Sequence, residues 1–215
     1  MGLEINSVDF TFSLQSNILS RPDLLTSGGK LPEEFEAVER VKKFIASADL
    51  VGADLATASG KVTFLKSIGG ELKTAFSLSE ANFLQIDLNR NPIDQTYKVY
   101  TDSGEKGIIS AKITSAFSGN NSIVEMDYSY RQVDYLNFET YPLRTLKSAW
   151  NLVQSGDAYV INGKNIGEAV IREVELAYYD SFAEQKYLQP IYVFKGDNNV
   201  MAFVPAISAN YLSKN

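Results

Sequence analysis

The chain has 215 residues, is 45% hydrophobic and 12% aromatic, carries a formal net charge of −6, and contains no Cys and no His. That composition supports a sizeable core in one large or two smaller domains. It excludes disulfides, thiolate chemistry, and Ser-His-Asp or Cys-His catalysis within the chain, and it removes the usual zinc ligands. An acidic chain without a dense Lys/Arg run repels phosphate backbones, so no nucleic acid is expected as a partner.

The first element is "VDFTFSL", where Val8, Phe10, Phe12 and Leu14 alternate with Asp9, Thr11 and Ser13. This period of two predicts a strand over 8–14. It follows Met1-Gly2 almost at once and leaves open both a chain complete as it stands and an excised portion of something longer, tethered to a membrane by a segment outside this chain. After a turn-rich loop, "LPEEFEAVERVKKFIASADL" predicts a helix over 31–50. Pro32 suits its first turn, the early glutamates suit its positive end, and Phe35, Val38, Val41, Ile45 and Ala48 form the expected buried stripe. Three shorter strands follow in "KVTFLKS", "ELKTAFS" and "NFLQIDL".

From residue 121 the order of events recurs. "NSIVEMDYSYRQV" predicts a strand, and "YPLRTLKSAWNLVQSG" predicts a helix with Leu143, Leu146, Trp150 and Val153 as its stripe and Gly156 as its C-terminal cap. "AVIREVELAYYDS", "YLQPIYVFKG" and "VMAFVPAIS" predict three more strands. Asp9 to Phe12 matches Asp127 to Tyr130, Pro32 matches Pro142, and Glu80-x-x-Phe83-Leu84-Gln85 matches Glu184-x-x-Tyr187-Leu188-Gln189. These matches predict an α+β chain built by internal duplication. Each of two related units, 1–118 and 119–215, would be an antiparallel sheet packed by one main helix. Pro190 cannot donate to a ladder and reads as the entry to a strand over 191–195. Tyr192 and Phe194 fall on one face of that strand and Ile191 and Val193 on the other, so both faces are expected to be covered.

Candidate sites are few. "DLNRNPIDQTYK" starts with calcium-type spacing at Asp87, Asn89 and Asn91, but Pro92 stands where the loop needs glycine and Lys98 where it needs a bidentate glutamate. No glycine run has the Gly-x-x-x-x-Gly-Lys-Ser/Thr order that cradles phosphate. Glu125 with Asp127, and Glu173 with Glu175, could in principle do acid–base work, but same-face acids alternating with apolar residues read as the solvated side of a sheet. The 12 tyrosines are the more distinctive feature. Tyr128, Tyr130, Tyr179, Tyr187 and Tyr192 are the candidate binding residues, since tyrosine brings large contact area with few rotors. The same alternation also reads as ordinary sheet packing. No catalytic residue, metal site or cofactor is assigned.

The helix ending in "AWNLVQSG" and the meander "LAYYDSFAEQKYLQPIYVFKGDNNVMAFVPAI" resemble PepSY-type domains and their relatives among the extracytoplasmic accessory regulators of bacterial cell-wall histidine kinases. Similar paired modules occur in spore-germination envelope proteins. The resemblance covers residues 121–207 and reaches the first half only through the duplication. It implies a non-catalytic binding or regulatory module outside the cytoplasmic membrane that acts on another envelope protein. The Asp-x-x-x-Gly turn common between strands of those domains is replaced here by "FKGDNNV", and no functional residue is carried over. Two other expectations stand beside it: an envelope protein that holds glycan or peptide in a cleft between the units, and a hydrolase that works with carboxylates alone.

Overall fold

The computed structural model describes residues 1–25, 29–104, 106–162 and 168–211. The chain is α+β and divides into two compact units, Met1–Asn91 with Lys106–Gln132 and Pro92–Glu105 with Val133–Asn215.

The first unit contains β1 (Gly2–Ile5), β2 (Phe12–Gln15), the single turn α1 (Pro22–Leu25), α2 (Glu34–Ser47), a second single turn α3 (Ala53–Ala56), β3 (Gly60–Ile68), β4 (Glu71–Thr74) and β5 (Phe83–Leu88). After an excursion through 92–105 the chain returns as β7 (Ile109–Thr114) and β8 (Ile123–Tyr128). The seven strands form one sheet in the order β1-β2-β8-β7-β5-β3-β4, antiparallel throughout. Helix α2 packs on β3 and β5 through Ala37, Val38, Val41 and Ile45. Gly60 permits that approach, because a Cβ there would sit 2.7 Å from a Val38 methyl. Phe35, expected on the buried stripe, is 79% exposed, and Ala48 lies just past the helix end and is also exposed. At 100° per residue Phe35 falls roughly a quarter turn round from the stripe that faces the sheet.

The second unit takes β6 (Val99–Tyr100) from the excursion, then α4 (Leu146–Ser155), β9 (Tyr159–Ile161), β10 (Ile171–Tyr179), β11 (Gln189–Gly196) and β12 (Met201–Pro205). The sheet order is β6-β10-β11-β12-β9, with β6 parallel to β10 and the other pairs antiparallel. Pro190 lies at the start of β11, opposite Tyr178. The strand's two faces separate as the alternation requires. Tyr192 and Phe194 meet α4 through Ala149, Leu152 and Val153, while Ile191 and Val193 join Tyr100, Ala177 and Phe203 on the other side. No helix among the described residues is long and apolar enough to cross a membrane.

Three expectations are corrected. Residues 123–128 complete the first sheet between β2 and β7 and do not open the second unit, so the division at 118/119 does not follow the contacts. The matched stretches at Asp9 and Asp127 are neighbours within one sheet. Phe12 pairs with Tyr128 and their rings stack with centroids 5.0 Å apart. The predicted strand over 8–14 is also shorter than its alternation suggests. Val8 N–H donates to the Asn6 side chain and Thr11 N–H to the Asp9 side chain, and this local turn chemistry delays β2 until Phe12.

The prolines are not equivalent either. Pro32 directly precedes the α2 N-cap Glu33. Pro142 stands three residues ahead of the α4 N-cap Thr145, in an extended stretch where its carbonyl accepts from Ser208 N–H. What does recur is a helix followed by an antiparallel meander, α2 with β3-β5-β7 and α4 with β10-β11-β12. The Phe83-Leu84-Gln85 and Tyr187-Leu188-Gln189 stretches both lead into the middle strand.

Candidate functional site

Helix α4 is well terminated. The Thr145 hydroxyl accepts from Ser148 N–H at 3.2 Å, and Gly156 closes the other end at φ +83°, a left-handed conformation that favours glycine. Between the caps, its apolar side chains cover an arc of roughly 160°, wider than one sheet face can bury. Small Ala149, fully buried, lets the helix settle on Tyr192, Phe194 and Val204. Leu146 and Trp150 are pushed to the margin, 55% and 37% exposed, although the Trp150 ring still touches Phe194 at 5.7 Å between centroids.

The exposed apolar surface continues ahead of the helix. Leu143 is exposed while bridging to Ile207, and Tyr141 packs edge-on against Tyr211 at 6.0 Å. The Tyr141 hydroxyl donates to Glu139, which raises its pKa first through that bond and then through the carboxylate's charge; the nearby Tyr187 phenol adds a smaller upward push. Tyr187 itself is 69% exposed. Leu146 and Trp150, one turn apart on α4, thus form an exposed apolar stripe, and Tyr141, Tyr211 and Tyr187 form an exposed aromatic group on the same unit.

Of the five candidate tyrosines, only Tyr187 stands on that surface. Tyr128 is buried, stacked on Phe12 and donating to Leu50 C=O at 2.6 Å. Tyr130 is buried, donates to Asp54 at 2.7 Å and lies under the Arg90 guanidinium, 4.5 Å from its ring centroid. Tyr192 is buried against α4 with its hydroxyl on Arg144 C=O. Half-buried Tyr179 donates to the Asp102 carboxylate, which also accepts from Phe182 N–H at 2.9 Å. The reason is common to all four: a strand tyrosine facing a core buries its ring and turns its hydroxyl to the nearest acceptor. Leu143, Leu146 and Trp150, expected on the stripe of the second helix, are exposed instead, because Ala149, Leu152 and Val153 take the contact with the sheet; an apolar arc wider than one stripe is the sequence signal for that exposure.

The carboxylates sit beside cations. Glu125 is buried against Lys112 at 2.8 Å, which corrects its expected place on a solvated face, and Asp127 meets Lys106 at 3.5 Å. Lys195 lies 2.8 Å from Glu175 and 4.0 Å from Glu173. Burial pushes the Glu175 carboxyl up, but hydrogen bonds from Lys195 and Tyr100 and the charges of Lys195 and Lys98 bring it below its ordinary value. A general acid needs the opposite displacement. Asp87 accepts from Gly107 N–H and Gln85, and the Asn91 side chain donates to Thr57, so two of the calcium-type positions serve the fold. Among the described residues no group of three or more acidic side chains gathers that could hold a metal.

No family model and no curated protein matches the chain. Among solved structures, the C-terminal domain of YpeB from Bacillus megaterium aligns over 95% of this chain and 76% of its own, at 11% identity and a TM-score of 0.36. A likeness that distant assigns neither family nor function.

Proposed function

We propose that this chain is a non-catalytic protein-binding module of a bacterial cell envelope and that it holds its partner on the apolar surface beside α4. One observation carries the binding half: Leu146 and Trp150 stand exposed one turn apart on α4, with caps and core packing already complete behind them, and Tyr141 and Tyr187 are exposed on the same unit. Apolar surface left exposed in this way is where soluble proteins meet other macromolecules, and Trp and Tyr are the residues that anchor such contacts. The envelope half rests on the resemblance of residues 121–207 to PepSY-type domains.

Trp150 is the only tryptophan in the chain, so its emission reports directly on this surface. Peptides selected from a random displayed library on the whole chain are expected to blue-shift and protect that emission. They are expected to lose at least tenfold in affinity against Leu146→Ser or Tyr141→Ser, both exposed positions whose replacement leaves the core intact. Selected peptides that bind both variants as well as the parent chain would show that the surface is not a recognition site. Labelling of intact source cells with a membrane-impermeant amine reagent tests the location; a chain modified only after lysis contradicts it.

A further inference from the structure

The α4 side of this surface carries positive charge within an acidic chain, while the Glu139 carboxylate stands at the Tyr141 end. Residues 141–155 carry two charges, Arg144 and Lys147, and no acid, whereas the whole chain has a net charge of −6. Arg144 lies one residue ahead of the α4 cap and is half-buried. Its backbone is fixed, because its N–H donates to Ala206 C=O at 2.8 Å and its carbonyl accepts from the Tyr192 hydroxyl at 3.0 Å. Its side chain is poorly matched. Nη2 reaches Ile207 C=O only at 3.5 Å, and Nε is buried with no acceptor. Among the described residues no carboxylate pairs with Arg144 or with Lys147. The other half-buried arginines behave differently: Arg21 meets Asp23, Arg40 meets Glu36, and Arg131 meets Asp9.

We infer that the occupant of this surface is a protein segment with apolar anchors and a carboxylate, seated so that its acid meets Arg144 and Lys147 while its apolar side chains lie on Leu146 and Trp150. A cation partly withdrawn from water and lacking an acid is stabilised by any partner that brings one, and the guanidinium fork matches a carboxylate in two bonds. The positive end of the α4 dipole adds to the same preference. The inference rests on the docking surface proposed above and goes further by naming the chemistry of what docks. A protein segment is favoured over an anionic bilayer, because two cations on a chain of net charge −6 give little attraction to a uniformly negative surface.

The test uses the whole chain with peptides selected at low salt. The selected set is expected to be enriched in Asp or Glu beside apolar residues. Affinity, read from Trp150 emission, is expected to fall about tenfold for Arg144→Gln and less for Arg144→Lys, which keeps the charge without the fork. Replacing the peptide acid by its amide is expected to cost the same on the parent chain and almost nothing further on Arg144→Gln, and added salt is expected to weaken the parent complex. The unbound emission and far-ultraviolet circular dichroism of Arg144→Gln are expected to match the parent.

Peptides that depend on Leu146 yet show no acid enrichment and bind Arg144→Gln unchanged overturn the acidic partner and leave the docking surface standing. A library that yields nothing dependent on Leu146 overturns both. Vesicles of anionic phospholipid that shift Trp150 emission in a Lys147-dependent manner, with no peptide doing so, assign the surface to a membrane and overturn the inference.

Discussion

At the scale of single residues, the first unit is organised around a buried cation. Arg90, its side chain only 1% exposed, pairs with Asp54 at 2.7 Å, donates to Arg131 C=O, and covers the ring of Tyr130. Gly52 leaves room for the Tyr130 hydroxyl, which would collide with any Cβ there. Burial holds three phenols protonated, Tyr128 and Tyr130 near this cation and, separately in the second unit, Tyr100. Tyr128 is pushed up to about 12, mainly by burial and against the pull of Arg90's charge, and Tyr130 and Tyr100 are raised in the same direction, again first by burial. An unfolded tyrosine ionises near 10. The folded chain therefore keeps protons that the unfolded chain releases, and the stability these groups contribute is complete below about pH 10 and declines as pH rises towards 12. The urea midpoint is expected to fall above pH 10, with a shallower fall in Tyr128→Phe. A midpoint constant to pH 12 would contradict the burial of these hydroxyls.

At the scale of elements, α4 matters most because it displays the docking surface. Thr145→Ala removes the acceptor for Ser148 N–H and is expected to cost about 1 kcal/mol in denaturant unfolding. It is also expected to redden Trp150 emission in the native baseline as the first turn frays; an unaltered baseline would mean that core packing alone sets the helix start. Much of this level was legible. Both main helices, the Gly156 cap, the Pro190 strand entry and the two faces of β11 follow from local periodicity and backbone rules. What was illegible depends on tertiary choice. Nothing local tells a strand tyrosine such as Tyr128 whether its face meets a core, and nothing in Leu146 or Trp150 says that Ala149 will take the contact line. The similarity of Asp9–Phe12 to Asp127–Tyr130 was real, but paired strands in one sheet share alternation as readily as duplicated strands do.

At the scale of the whole molecule, the main departure from expectation is the excursion through 92–105. Two residues of it, Val99 and Tyr100, form a parallel edge strand beside Tyr178 and Tyr179. Tyr100 then packs its ring on Phe203 and donates its hydroxyl to Glu175, while Lys195 lies over the ring at 5.4 Å. Removing it uncovers Ala177, Ile191, Val193 and Phe203 on one sheet face. A fragment of 133–211 is therefore expected to be less stable to urea than the same fragment with 92–105 joined ahead of it by a flexible linker. Tyr100→Ala in the joined form is expected to remove most of the gain. Equal midpoints for the two fragments would show that the excursion is dispensable to the second sheet.

That excursion also sets a timetable for a ribosome-bound chain. Tyr100 is synthesised well before its neighbour Tyr179, and β2 before its neighbour β8, so β6 and the open side of β2 must wait for partners not yet made. At about 5–20 residues per second, the wait for Tyr179 is on the order of 10 s, during which an apolar strand end stays open to wrong pairings. Its brevity, two residues long, gives a misplaced neighbour little ladder to hold. A longer β6 would bind its proper place more tightly, and would also be easier to capture before that place exists.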